Sequence, residues 1–303
     1  MSIPRFTQEN FKNIKKPKAN SHKGDNGRLL VIGGSKLFHA AVFWTADVAS
    51  RFVDLVHFTS PAKENNDLVR YRMKSQFWNG IVTDWQYVDT YIEEDAVIVI
   101  GPGMPREEGR MSDEQSTSEI VNNLLDKFST KHWVVDGGAL QEVNPKLLNK
   151  NMIITPHQGE CERLLIKMND PDLPVAEYKK LVQAINNPRA KHFDDLAQFM
   201  QELSVTLKGV TILLKGVRDV AVTKDEAFII EGGNEGLTKG GSGDVLAGLV
   251  GSFYCSNESL LSCAGGSFVL KHAADKLYEK VGPYYNTTDL VDAVSYAMKE
   301  LTV

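Results

Sequence analysis

Six short apolar runs, each closed by glycine, proline, serine or histidine, constrain this chain more than any other feature. They are "RLLVIGG" at 28–34, "DLVHFTS" at 54–60, "AVIVIGPG" at 96–103, "HWVVDGG" at 132–138, "NMIITPH" at 151–157 and "TILLKG" at 211–216. Each is near-continuously apolar, which suits a strand covered on both faces. Helix-like stretches lie between them, such as "AAVFWTADVASRF" and "DEQSTSEIVNNLLDKF", the second opening on acids suited to a helix N-terminus. The alternation predicts a doubly wound α/β fold with a mostly parallel sheet. At 303 residues and 42% hydrophobic content, the chain can bury one large core or two small ones.

The C-terminal part changes character. "RDVAVTKDEAFIIEGGN" predicts a hairpin turning at "KDE", and the chain beyond the next glycine cluster predicts helices over 243–254, 258–280 and 287–300. The polar stretch 168–195 is expected to be an insertion, with one short helix or partly mobile. Other partners are limited by composition. A net charge of −5 argues against a nucleic-acid ligand. No run approaches the ~18 apolar residues of a membrane span, and the polar N-terminus lacks a signal-peptide core. The expectation is a soluble cytoplasmic protein. Cys161, Cys255 and Cys263 are widely spaced and fit buried reduced thiols.

In open α/β sheets, ligands bind beyond the carboxyl ends of the strands. The predicted strands deliver Gly33 and Gly34, Ser60, Gly101 and Gly103, Asp136, His157, and Lys215 with Gly216 to that rim. The cluster "GGSGDVLAGLVGSFY" predicts a loop and then a helix, with Ser242 and Gly243 at its start and Asp244 in its first turn. A helix start has unpaired N–H groups and a positive dipole end. Glycines bare those N–H groups, so Gly241, Ser242 and Gly243 are a candidate anion hole. Asp244 has two readings. It is a first-turn acid complementing the helix, or a general base for a hydroxyl attacking a transferring phosphoryl group. Glu160 in "TPHQGECERLL" is likewise either a dipole partner or a magnesium ligand, directly or through water. Neither a Walker A loop nor a GxGxxG fingerprint is present.

In chain order, "KGDNGRLLVIGGS", "VIVIGPGM", "VVDGGAL", "TPHQGE", "LLKG" and "GNEGLTKGGSGDVLAGLVG" resemble the ADP-dependent NAD(P)H-hydrate dehydratase family of the ribokinase-like superfamily. The resemblance runs from about Lys23 to the C-terminus. It implies a three-layer α/β/α sandwich over 1–303 as one domain, with 1–27 as an N-terminal extension, in a homo-oligomer. It implies a hydro-lyase that uses ADP or ATP with Mg2+ to phosphorylate the ring hydroxyl of the S-epimer of hydrated NADH or NADPH. Phosphate elimination then returns NAD(P)H. Asp244 falls on the base, and Lys215, Gly216, Val217, Arg218, Asp219, Asn234 and Gly243 fall on nucleotide positions. Ala41, Gly103, His157 and Asp244 fall on substrate contacts, and Glu160 on the acidic position associated with the metal. The 27 residues before the first strand are too few for an epimerase, so a separate NAD(P)H-hydrate epimerase is the expected functional partner.

Four departures stand out. Ser242 replaces the threonine of a GTGD motif, Ala40 replaces a common glycine, "KGVRD" lacks a threonine after its glycine, and Gly138 stands where many superfamily members carry an aspartate. The alternatives are a small-molecule kinase of the same fold, of the hydroxymethylpyrimidine or hydroxyethylthiazole type, and a nucleotide-binding protein without catalysis.

Overall fold

The six apolar runs all form strands, and three more complete the sheet. The structure is a computed structural model that describes residues 3–73, 79–186 and 193–302. The strands are β1 (Arg28–Ile32), β2 (Leu55–Thr59), β3 (Ile81–Val82), β4 (Val97–Ile100), β5 (His132–Val135), β6 (Met152–Ile154), β7 (Thr211–Leu214), β8 (Asp219–Val222) and β9 (Ala227–Ile230). They form one sheet in the order β3-β2-β1-β4-β5-β6-β7-β8-β9. β1 to β7 pair in parallel, and β8 and β9 add an antiparallel hairpin at the β7 edge. The hairpin and the three C-terminal helices lie where the sequence predicts them.

Alternation along each strand sorts the core into two layers. Leu29, Val31, Val97, Val99, Val134, Ile153 and Leu213 face one side, against the helices Ala40–Ala49, Ser242–Tyr254, Ser259–Val281 and Thr287–Thr302. Leu30, Ile32, Ile98, Ile100, Trp133, Val135 and Leu214 face the other, against Thr117–Lys127, Gln158–Met168 and Phe193–Thr206. Burial on both faces explains why the runs are continuously apolar. Strand order reverses between β1 and β4, and that switch point opens a crevice at the carboxyl rim.

Two local expectations change. The helix Thr117–Lys127 is capped by Ser116, whose Oγ accepts from the Glu119 N–H, so Asp113 and Glu114 lie in the loop before it. The described parts of the 168–195 stretch pack into the core. They contain helices Val175–Leu181 and Gln183–Asn186, Tyr178 and Ile185 are buried, and residues 187–192 lie outside the described set. The N-terminal segment also joins the core. Phe6 donates its N–H to Ile229 O at 2.8 Å beside β9, and Phe11 is fully buried.

Candidate active site

The glycine cluster turns the chain into the helix Ser242–Tyr254 through a left-handed residue, Gly241, with φ +103°. A Cβ there would lie 2.5 Å from the Trp44 ring and 2.8 Å from the Thr287 methyl, so only glycine fits. The loop is braced from several sides. Thr287 Oγ1 donates to Gly240 O at 2.8 Å, Thr45 Oγ1 donates to Asp244 O at 3.0 Å, and the Ser242 hydroxyl donates to Leu237 O at 2.7 Å. The Ser242 N–H reaches Lys239 O at 3.4 Å, whereas the N–H groups of Gly243 and Asp244 have no backbone acceptor among the described residues. The anion-binding capacity of this helix start therefore rests on Gly243 and Asp244 more than on Ser242. Gly241→Ala is expected to cost about 2 kcal/mol or more, measured by denaturant unfolding, because it adds a left-handed penalty to a ring clash.

Beside this helix start sits a buried charge cluster. Asp136, at the end of β5, accepts on Oδ1 from Thr155 Oγ1 at 2.7 Å and from Lys215 Nζ at 2.8 Å. Lys215 Nζ is 3.9 Å from Glu160 Oε2 and 3.5 Å from where a Cβ on Gly243 would be. Burial alone would lower the Lys215 pKa, but the charges of Asp136, Glu160 and Asp244 outweigh it and hold the ammonium charged. Asp244 is pushed up to about 7, first by burial and then by the Asp136 and Glu160 charges, against the pull of Lys215. A carboxylate poised near neutrality is matched to general-base work.

Glu160 and His157 close a capping box on the helix Gln158–Met168. His157 Nδ1 accepts from the Gly159 N–H at 3.0 Å, and Glu160 Oε2 accepts from the His157 N–H at 2.9 Å. The second oxygen of Glu160 takes the Gln141 Nε2 amide at 3.0 Å. Glu160 is thus a helix-end acid that also faces the Lys215 ammonium, and His157 sits half exposed at the rim beside it.

The stretch Lys215–Asp219 and the loop at Asn234 are anchored by one face of the helix Ser259–Val281. Ser267, Lys271 and Asp275 recur at four-residue spacing there. Ser267 Oγ donates to Asp219 Oδ2 at 2.6 Å, and Asp219 Oδ1 accepts from the Gly216 N–H at 2.8 Å. Lys271 Nζ donates to Val217 O at 3.0 Å and to the carbonyls of Gly216 and Gly232 at 3.3 Å. Asp275 accepts from the Gly233 N–H and from Asn234 Nδ2. From below, Ile185 packs where a Cβ on Gly216 would lie at 2.1 Å, and Arg218 stacks over the Phe193 ring at 4.0 Å. Removing the Lys271 cross-link frees both loops together. Lys271→Met is expected to speed amide hydrogen exchange over 215–219 and 232–234 about tenfold or more, read by exchange mass spectrometry.

Across Asp244 from these loops, a cleft of about 770 Å³ is lined by Ala41, Trp44, Gly103, Gly138, Gln141, Gly240, Gly241 and Asp244, with Leu37, Phe38 and Met104 giving it an apolar side. Gly103 has φ +70°, and its Cβ would strike Phe38 O at 2.4 Å, so loop, Gly103 and Ala41 close into one wall. The fold therefore brings together Ala41, Gly103, Gly241 and Asp244 on the cleft, and Asp136, Glu160, Gly243 and Lys215 behind it. His157 stays at the rim outside the cleft lining.

The amino-acid profile of a known family, described as NAD(P)H-hydrate dehydratase, matches residues 29–295. The chain belongs to this family. The ADP-dependent (S)-NAD(P)H-hydrate dehydratase of Nitrosopumilus maritimus is 32% identical over 293 residues, covering 93% of this chain and 92% of that protein. The bifunctional NAD(P)H-hydrate repair enzyme of Methanocaldococcus jannaschii is 30% identical over 299 residues, covering 95% of this chain. The chain spans about half the length of that bifunctional relative, 51%. In fold, it is similar to a crystal structure of a ribokinase-like superfamily protein from Enterococcus faecalis, with TM-score 0.77, 22% identity, and coverage of 99% of this chain and 96% of that one.

Within the dehydratase family frame, two of the departures can be placed. Gly138 packs so that a Cβ would lie 2.1 Å from Met104 O, which leaves no room there for an aspartate in this backbone. Ala40 opens the helix Ala40–Ala49 at the cleft wall. Sequence reasoning set Asp136 on the rim but gave it no role. The signal was present, since a carboxylate ending one buried strand and a lysine ending another invite pairing across the rim.

Proposed function

We propose that this chain repairs hydrated NADH or NADPH in a reaction driven by ADP or ATP. The observation that carries the reading is Asp244, raised toward neutrality and set between the apolar cleft and a helix start with free N–H groups. Asp244 takes the proton of the ring hydroxyl as its oxygen attacks the terminal phosphorus of the nucleotide, whose bond to the bridging oxygen breaks and releases AMP from ADP or ADP from ATP. The N–H groups of Gly243 and Asp244 and the Lys215 ammonium steady the charge of the transferring phosphoryl group. The ring C–O bond then breaks, phosphate departs, and loss of a neighbouring ring proton forms the double bond of NAD(P)H. The loops at Lys215–Asp219 and Asn234 hold the nucleotide, and the cleft at Ala41 and Gly103 holds the damaged ring. The names of the full-length relatives support the dehydratase over a kinase that leaves its phosphate on the product.

A magnesium ion fits the residues present through Glu160. Among the described residues no group of three His, Cys, Asp or Glu side chains converges as a metal cage. Glu160 faces the cluster with one hydrogen bond on each oxygen, which leaves lone pairs for a metal-bound water. When bound, the ion supplies charge neutralisation on the phosphates. The test is to incubate the protein with magnesium, hydrated NADH, and ADP or ATP, and to follow reduced-nicotinamide absorbance. Recovery with at least one nucleotide is expected, and a folded protein giving none with either overturns the reading.

A further inference from the structure

The turn between the helices Ser259–Val281 and Thr287–Thr302 meets the loop 234–241 at three alternate residues, Pro283, Tyr285 and Thr287. Pro283 O accepts from Lys239 Nζ, and that ammonium lies 5.1 Å from the centre of the Tyr285 ring. The Tyr285 hydroxyl donates to Asn234 Oδ1 at 2.8 Å, and its buried ring fills the space that a Cβ on Gly236 would need. Thr287 Oγ1 donates to Gly240 O at 2.8 Å, and its methyl packs against Gly241. One residue on, Thr288 Oγ1 accepts from Trp44 Nε1 at 3.4 Å, and Trp44 lines the large cleft. The turn is itself held in shape. Asn286 Oδ1 accepts from the N–H groups of Thr288 at 2.8 Å and Asp289 at 3.1 Å, and Asp289 Oδ2 accepts from the Asn286 N–H at 2.8 Å, a reciprocal cap on the last helix.

This arrangement engages two side chains that could otherwise reach for a nucleotide. Asn234 Oδ1 accepts from the Tyr285 hydroxyl and from the Gly236 N–H at 3.0 Å, while its Nδ2 donates to Asp275 Oδ1 at 3.1 Å. Only this orientation of the amide satisfies all three partners. Burial, helped by the Asp275 charge, pushes the Tyr285 phenol up to about 12, so its hydroxyl is a donor at neutral pH. We infer that the turn 283–288 is a seat that positions the phosphate loop, with Tyr285 and Thr287 as positioning residues, and that the side chains of Asn234 and Lys239 serve this seat rather than the nucleotide. The hold of this loop on the nucleotide is then through its backbone. What the seat delivers rests on the repair reading. Gly243 and Asp244 follow Gly240 by three and four residues, so a displaced Gly240 misplaces both the N–H groups and the base.

The test pairs kinetics with hydrogen exchange on the full chain. Thr287→Val puts a methyl where the hydroxyl donates. A carbon sits about 3.3–3.6 Å from a carbonyl oxygen, so Gly240 must give way by about 0.5 Å or more. Nucleotide-dependent turnover is expected to fall about tenfold or more, with the KM for hydrated NADH within about threefold. Thr287→Ser keeps the hydroxyl and should return turnover to within about twofold of the parent protein. Tyr285→Phe keeps the ring under Gly236 and loses only the hydroxyl. Amide exchange over 234–241 should then speed about fivefold or more, while exchange over 215–219 stays within about twofold. Unchanged exchange over 234–241 in Tyr285→Phe overturns the seat, as does unchanged turnover in Thr287→Val or a Thr287→Ser variant as slow as Thr287→Val. A parent protein without turnover overturns the repair reading instead, and the exchange result then decides the seat alone.

Discussion

Asp244→Asn is expected to lower nucleotide-dependent turnover by at least about a thousandfold while leaving nucleotide affinity within about threefold. Asparagine keeps the size and hydrogen-bonding outline of the side chain at the helix start but cannot accept the hydroxyl proton. A mere first-turn acid would give a different result, since its loss would cost a little stability and spare the rate. The pH dependence separates the two further. The base works deprotonated, so the rate should fall as pH drops below about 7 and level off above it. Stability moves in the opposite sense. The folded state raises the Asp244 pKa above its unfolded value, near 4, and so binds more protons between those values. Its contribution to stability is then lost as pH rises through that window. Asp244→Asn removes this penalty, so the variant should melt higher than the parent protein at about pH 8 and lose that advantage toward pH 4, measured by thermal unfolding.

Lys215→Met is expected to cost about a hundredfold or more in turnover. It removes the cation that faces Gly243, where the proposed reaction sets the transferring phosphoryl group. It also leaves Asp136, Glu160 and Asp244 without the ammonium that separates their charges. With that attraction gone, the Asp244 pKa should rise above about 7, and the acid limb of the rate profile should move to higher pH. A shift of the limb toward lower pH would show that Lys215 does not act on Asp244. The methionine side chain fills the same channel, so an unfolding midpoint close to that of the parent protein separates a charge effect from collapse.

The parts of the fold that a chain announces locally were legible beforehand. β1, β4, β5, β6 and β7 are buried on both faces, and their continuous apolar runs said so. The two-residue strand β3 and the helix Lys63–Met73 carry weak patterns, because β3 is an edge strand with an exposed Ile81 and the helix is predominantly polar. The 168–195 stretch looked like an insertion because its few apolar residues are spread among charges. Tyr178 and Ile185 nevertheless enter the core, and Ile185 supports Gly216 from below.

Much the same division holds for the site. Asp244, Lys215 and the glycine turn could be placed from strand ends and helix starts, since those positions follow from local geometry. Asp136 could be placed but not assigned, because its importance comes from a pairing 79 residues away in sequence. The support that Ser267, Lys271 and Asp275 give to two loops was hidden for the same reason. It needs the helix Ser259–Val281 laid against the β8–β9 hairpin before the spacing has meaning.

The fate of the phosphate tests the central claim most directly. With hydrated NADH, magnesium and the preferred nucleotide, inorganic phosphate and reduced nicotinamide should appear mole for mole, followed by phosphorus NMR and absorbance in one reaction. A phosphorylated dinucleotide that accumulates without recovery of NADH would contradict the account and make this chain a kinase.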